Sequence, residues 1–352
     1  VIEHDPIDNE ANDGAHEEMD EVIVRPARPE DRDAVLAFCA HTWDGGDYIA
    51  EVWEKWLADS NGALLIAVVS GKPVGLIHLD MLSPEEAWIE GIRVDPAQRR
   101  QGIGRILTSQ ALVAARERGA KVARLITDSD NIASQALVSK KFGFQRMAEV
   151  ARYEAPALES GVDEDADLLL ASEETDIASN VQEMQEPRNE NMREEETNEQ
   201  GEPAGPHLLL AGAEDYERIQ AWLAQSNLAP FNGGLQFGWW RAWALTEQSM
   251  RDYLAEGAVW LLEEWDTIQA IAIIHAVISE ELPPEMLQVR YIDGAAGSIS
   301  MLALALREIA QEHGLPKVEL WLPELLILRD AMNGAGYSRD GEETMLVYAR
   351  NL

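Results

Sequence analysis

Between Trp88 and Gly104 the chain reads Trp-Ile-Glu-Gly-Ile-Arg-Val-Asp-Pro-Ala-Gln-Arg-Arg-Gln-Gly-Ile-Gly, and this stretch constrains the fold more than any other. The residues up to Val94 predict a strand, Asp95-Pro96 ends it, and the apolar spacing of Ile103–Arg118 before Gly119 predicts a helix. A loop that opens a helix leaves backbone N–H groups without intrahelical partners at the positive end of the helix dipole, which suits a phosphate. Glycine lets the backbone approach such an anion, and Arg99, Arg100 and Arg105 add charge-assisted contacts. A dinucleotide fingerprint would need a third glycine where Leu107 stands, and a nucleotide P-loop would need Gly-Lys-Ser/Thr; the chain has neither.

At 352 residues the chain is long for one core and suggests two domains. Its net charge of -36 argues against nucleic acid as a partner, because a polyanion is repelled. The charge is unevenly placed. Residues 1–21 hold nine acids and no Lys or Arg, and residues 173–206 hold eleven acids against Arg188 and Arg193. From Gly91 to Arg152 the balance reverses, twelve Lys or Arg against five acids, which points to an anion site near the glycine loop. The first 21 residues read as an acidic disordered tail and 173–206 as an acidic linker. The start of the chain lacks the basic and apolar regions of a secretory signal, and no apolar run approaches the roughly 18 residues that span a bilayer. The expectation is a cytoplasmic protein with no membrane partner. The single cysteine, Cys39, excludes an internal disulfide and a thiolate metal cluster and sits in an apolar helical pattern.

Strands are expected at Val22–Arg25, Ala63–Val69, Val74–Leu79, Trp88–Val94, Val122–Thr127 and Phe144–Tyr153, with Leu168–Ala171 as a further strand beside the last. Helices are expected at Pro29–Thr42, Tyr48–Ala58, Ile103–Arg118 and Ser134–Lys141. The second half repeats this order faintly. Glu30-Asp31 recurs as Glu214-Asp215, Gly75-Leu-Ile-His78 as Ala272-Ile-Ile-His275, Lys121-Val122 as Lys317-Val318 and Gly143-Phe144 as Gly336-Tyr337, which a duplicated fold explains.

A strand, Arg99-x-x-Gly102-x-Gly104, a long helix, a strand, Asn131, a short helix and Gly143-Phe144, in that order, resemble the GNAT superfamily of N-acetyltransferases over about residues 22–172. The resemblance implies an α/β fold with a mixed, mainly antiparallel twisted sheet flanked by helices, present here as two tandem domains, 22–172 and 207–352. It implies acetyl-CoA as co-substrate without a metal, and an amine acceptor, either a small molecule or a protein amine. Arg99, Arg100, Gln101, Gly102, Ile103, Gly104 and Arg105 match the pyrophosphate loop. Ile92, Arg93 and Val94 match the strand whose main chain pairs with the pantetheine arm, where a backbone N–H polarises the acetyl carbonyl. Asn131 and Ser134 match the pantetheine contacts, and Lys140, Lys141 and Phe142 lie where the adenosine end passes.

The resemblance implies that Glu90 stands at the position of the family's carboxylate base, acting directly or through water; read by itself it is equally an ordinary strand-surface glutamate. The tyrosine acid usual in the family is missing at Val138 and Ser139; Tyr153, on the next strand, reads as a packing residue or as a substitute for that acid. His78 reads as a sheet histidine. In the second half, Asp293-Gly-Ala-Ala-Gly297-Ser-Ile-Ser300 has Gly294 where an arginine belongs and Ile299 in place of the second glycine. Residues 207–352 are therefore expected to be a degenerate copy serving as a built-in dimer partner, which leaves the chain able to act as a monomer. Trp239, Trp240 and Trp243, with Phe231 and Phe237, could wall an acceptor pocket or form a core stripe. The competing reading is a non-catalytic acyl-CoA-binding sensor or interaction protein whose acidic segments recruit a partner.

Overall fold

The computed structural model describes residues 21–40, 42, 46–158, 205–238, 240–277, 286–342 and 344–352. The expected tail, the linker, Leu168–Ala171 and Trp239 lie wholly or almost wholly outside these residues. In chain order the strands and helices of the first half are β1 (Ile23–Pro26), α1 (Arg32–Cys39), α2 (Ile49–Ala58), β2 (Ala63–Val69), β3 (Lys72–Ser83), β4 (Glu86–Val94), α3 (Ile103–Glu117), β5 (Val122–Asp128), α4 (Ile132–Ala136) and β6 (Gln145–Pro156). The second half continues with β7 (His207–Leu210), α5 (Tyr216–Leu223), α6 (Ala229–Asn232), β8 (Leu235–Gly238), β9 (Arg241–Ala244), α7 (Glu247–Ala255), β10 (Val259–Glu264), β11 (Thr267–Val277) and β12 (Met286–Gly294). It ends with α8 (Ala296–Glu312), β13 (Lys317–Pro323), α9 (Leu326–Gly334), β14 (Ser338–Arg339) and β15 (Met345–Asn351). Two compact units result: one holds the residues up to Leu79 with Gly91–Ala114, the other Asp80–Glu90 with Ala115–Leu352.

In the first unit β1, β2 and β3 pair antiparallel, with Val24 opposite Ala67 and Leu64 opposite His78. Ile49, Trp53 and Trp56 fall at helical spacing on one face of α2, and that face closes on Val35, Cys39, Ile66 and Leu76. Burial pushes the Cys39 thiol up to about 12, with Asp47 adding to the effect, so the thiol is un-ionised at neutral pH. Asp31 closes the turn before α1: its carboxylate accepts from the Arg28 N–H at 2.8 Å and from Arg25 at 2.6 and 2.7 Å. The Arg25 hydrogen bonds hold its carboxyl below the usual range, against the effect of burial.

Gly91 sits at φ +65°, and a Cβ there would lie 2.6 Å from Cη2 of Trp56. Trp56 cannot yield, because its ring stacks on that of His78 at 4.2 Å and is 4 % exposed. Gly91→Ala therefore combines a left-handed backbone penalty with overpacking, and is expected to cost about 2–4 kcal/mol, read as a lower midpoint in denaturant unfolding.

In the second unit the sheet order is β4, β5, β15, β6, β13, β12, β11, β10, β7. Two pairs are parallel, β4 with β5 and β12 with β13; β5 with β15, β15 with β6, β6 with β13, β12 with β11, β11 with β10 and β10 with β7 are antiparallel. Along β11, Ala270 and Ala272 face one cluster with Leu302, Leu306 and Leu320, while Ile271 and Ile273 face another with Ile219, Met250 and Leu261. This is the period-2 alternation of a strand buried on both faces. The β8–β9 hairpin brings Leu235, Phe237 and Ala242 to a third cluster with Trp88, Val150, Trp321 and Val347.

β15, the last strand of the chain, lies between two strands of the first half. Val347 is opposite Ile126 of β5 and Ala148 of β6, while β6 also pairs with β13, Tyr153 opposite Leu320. Among the described residues no helix is long and apolar enough to cross a membrane.

Candidate functional site

In the first unit, eight residues, Asp95 to Gly102, join β4 to α3. The loop is pinned where it leaves the strand: the Asp95 N–H donates to the Val74 carbonyl at 2.9 Å, and its side chain accepts from the Ala97 N–H at 2.9 Å. The backbone then turns left-handed at Arg100, φ +66°, and again at Gly102, φ +84°. Alternating hand of this kind turns successive N–H groups toward a common point, the arrangement of an anion-binding nest. A Cβ on Gly102 would meet nothing within 4 Å, so the space before the loop is open.

Arg99, Arg100 and Arg105 are exposed, and none pairs with a carboxylate among the described residues; Arg99 makes a 3.3 Å contact to the Val94 carbonyl. Three guanidinium groups without carboxylate partners among the described residues, in a chain of net charge -36, suit an anion. Gln101 is exposed and Gly104 half-buried, whereas the Ile103 side chain is 1 % exposed in the core, which leaves its main chain for a ligand. Ile92 and Val94 are half-buried. The Arg93 guanidinium is engaged elsewhere, donating to Asp47 at 2.7 and 3.3 Å and lying 5.4 Å from the Tyr48 ring centroid. These residues fit a diphosphate.

In the second unit, β4 and β5 pair over three residues, ending at Trp88 opposite Arg124. Asn131 caps α4, its Oδ1 accepting from the Ser134 N–H at 3.0 Å, which leaves its amide N–H₂ for other partners. The helix expected over Ser134–Lys141 begins two residues earlier and is irregular: α4 widens into a π-turn at Leu137–Lys141, a feature frequent at functional sites. Lys140 and Lys141 are exposed and Phe142 half-buried.

The two candidate catalytic groups are not alike. Glu90 Oε1 accepts from Arg241 Nη2 at 2.5 Å, and its Oε2 from Arg241 Nε at 3.3 Å and Trp88 Nε1 at 3.1 Å. Arg241 also donates to Asp80 at 2.5 Å. Burial works to lower the Arg241 pKa, but Glu90 and Asp80 together raise it, so the guanidinium stays charged. Sequence reasoning missed Arg241 and Asp80. Tyr153 is 0 % exposed within the cluster of Leu320 and Tyr337, and its hydroxyl has no hydrogen-bond partner among the described residues.

The second-half segment expected to be a loop is the end of β12 and the start of α8, joined by the single residue Ala295. Ile299 does not obstruct an anion: it is 0 % exposed in the core. The obstacle is the missing loop, together with Asp293, 2 % exposed, whose carboxylate accepts from Ser226 Oγ at 2.5 Å and the Tyr291 hydroxyl at 2.7 Å.

The aromatic residues of the β8–β9 region divide. Phe237 is buried beside Trp321, Phe231 is 49 % exposed and Trp240 is 42 % exposed. Trp240 has φ +61°, a conformation that costs a bulky residue about 1–3 kcal/mol and often marks a functional site. Among the described residues no three His, Cys, Asp or Glu side chains are grouped to hold a metal ion.

Residues 32–144 match the acetyltransferase (GNAT) family. The chain is 26 % identical over 164 residues to the Homo sapiens protein named Probable N-acetyltransferase 16, an alignment covering 46 % of this chain and 43 % of that one. It is 31 % identical over 105 residues to histidine N-acetyltransferase of Oreochromis niloticus, covering 29 % of this chain and 31 % of that one. The matches thus span less than half the length of these relatives. A GCN5-related N-acetyltransferase from Sphaerobacter thermophilus has a similar fold, with a TM-score of 0.53 at 13 % identity, covering 94 % of this chain and 95 % of the other.

Proposed function

We infer, from the GNAT acetyltransferase domain that residues 32–144 carry, that this protein transfers an acetyl or other short acyl group from acyl-CoA to a primary amine. The observation that carries the reading is the β4–α3 loop, with left-handed backbone at Arg100 and Gly102 and three arginines without carboxylate partners. Bound acetyl-CoA supplies the acyl group as a thioester; the loop N–H groups and guanidinium groups hold its pyrophosphate.

The attacking amine must be neutral, so its proton has to leave. Glu90 accepts it, directly or through a water, while Arg241 and Trp88 fix the carboxylate's orientation. Tyr153 is left out of the proton path, because a hydroxyl with no exposed surface cannot reach a departing thiolate. A thiol is a fair leaving group near neutral pH and needs no acid of its own.

The second half we read as a degenerate copy of the same fold. Its β12 and β13 pair in parallel over three residues, as β4 and β5 do, with a long helix between, but the phosphate loop is absent. It is a built-in partner domain, since its β15 completes the sheet between β5 and β6.

Release of free CoA thiol over an amine panel tests the reading. Glu90→Gln is expected to lower kcat by about 10²–10⁴-fold with acetyl-CoA affinity retained. The ties of Glu90 to Arg241 favour a second reading, a non-catalytic acyl-CoA sensor; acetyl-CoA binding without turnover on any amine would decide for it.

A further inference from the structure

The cavity beside the β8–β9 hairpin, of about 380 Å³, is lined by Asp128, Arg152, Trp240, Trp321, Asp340 and Glu342 among others. Its volume lies at the small end of ligand pockets, enough for a short-chain molecule. Its charge balance decides what kind. Arg152 is the one cation in the lining, and its charge is already matched: it donates to Glu319 at 2.9 Å and pairs with Asp340. Asp128 and Glu342 remain, and neither has a cation partner among the described residues. Burial, and then the neighbouring Asp130, push the Asp128 carboxyl above its usual range.

The aromatic wall points the same way. Trp240 and Trp321 meet edge to face, ring centroids 5.1 Å apart. Trp240 holds the Arg152 guanidinium 5.0 Å from its ring centroid, so its face already carries a cation, and 42 % of it remains exposed. Trp321, 5 % exposed, backs it. Carboxylates exclude an anionic guest, and indole faces favour an organic cation over a hydrated inorganic one.

We propose that this cavity binds the ammonium form of an alkyl amine, with Asp128 and Glu342 meeting the charge and Trp240 covering the alkyl chain. The proposal rests on the acyltransfer reading for its role, which is to collect the amine acceptor, but its binding chemistry stands alone.

The test is calorimetric titration of the full chain with 4-aminobutan-1-ol, with butane-1,4-diol as its uncharged counterpart and acetyl-CoA titrated in parallel. Millimolar binding of the amino alcohol is expected, with the diol at least tenfold weaker. Asp128→Asn should weaken the amino alcohol at least tenfold and leave the diol unchanged. Trp240→Ala should weaken both ligands, with the fold checked by thermal unfolding. No binding of 4-aminobutan-1-ol while acetyl-CoA binds, or equal binding by wild type, Asp128→Asn and Trp240→Ala, overturns the proposal and leaves the acyltransfer reading standing. Amino alcohol binding without acetyl-CoA binding supports the cavity and removes the acyltransfer reading instead.

Discussion

Gly102→Asp is expected to weaken acetyl-CoA binding about 1000-fold and to leave the fold nearly intact. The residue lies at φ +84° with nothing within 4 Å of a built Cβ, so the substitution meets backbone strain of about 1 kcal/mol and no clash. Asp is among the residues that tolerate the left-handed region best. What changes is the field in front of the loop. A carboxylate about 4 Å from a phosphate charge, at an effective dielectric of about 20, opposes binding by about 4 kcal/mol, or three decades in affinity. Gly102→Ala adds the same strain without the charge and separates the two effects: it should bind within about tenfold of wild type. Titration calorimetry with acetyl-CoA and thermal unfolding of both variants read the two quantities. Unchanged affinity in Gly102→Asp would place the cofactor elsewhere.

The loop was legible because everything that makes it is local. Asp95-Pro96 ends the strand, the glycines and arginines lie within seven residues, and the helix announces itself by its own apolar period. The strand Ala63–Val69 and the helix at Ile103 were readable on the same ground. Features that depend on distant partners were not. Arg241 lies 151 residues from Glu90 and 161 from Asp80, and no period or motif links such positions. The second-half segment looked like a loop because it stands, in the repeated order, where the first half has its glycine loop. In the fold Gly294 answers a close approach, where a Cβ would lie 2.7 Å from the Gln269 carbonyl, and Gly297 is already helical. The cavity residues Asp128, Trp240 and Trp321 come from β5, the β8–β9 turn and β13, so their meeting is a property of topology alone.

The same topology makes the C-terminal strand indispensable, and a chain truncated before Thr344 is expected not to fold. β15 pairs with β5 over seven residues, Met345 opposite Asp128 through Asn351 opposite Val122, and with β6 over five. Removing it would expose both neighbours as long, apolar sheet edges, which invite aggregation. It would also withdraw Leu346, Val347 and Tyr348, exposed by 4 %, 0 % and 6 %. At about 1.5–3 kcal/mol for each apolar side chain, and about 1 kcal/mol for each ladder hydrogen bond, the loss exceeds the 5–15 kcal/mol by which domains are typically stable. By the same reasoning a fragment ending at residue 172 lacks the strand between β5 and β6 and should be insoluble alone, yet be rescued by co-expression with residues 207–352. Circular dichroism melting of the truncated chain, with and without a synthetic peptide of residues 342–352, measures the effect: no cooperative transition is expected without the peptide, and a partial one with it. A truncated chain that melts with wild-type cooperativity and midpoint would show that β5 and β6 close on each other without β15, and the shared strand would then be an accessory to two halves that fold alone.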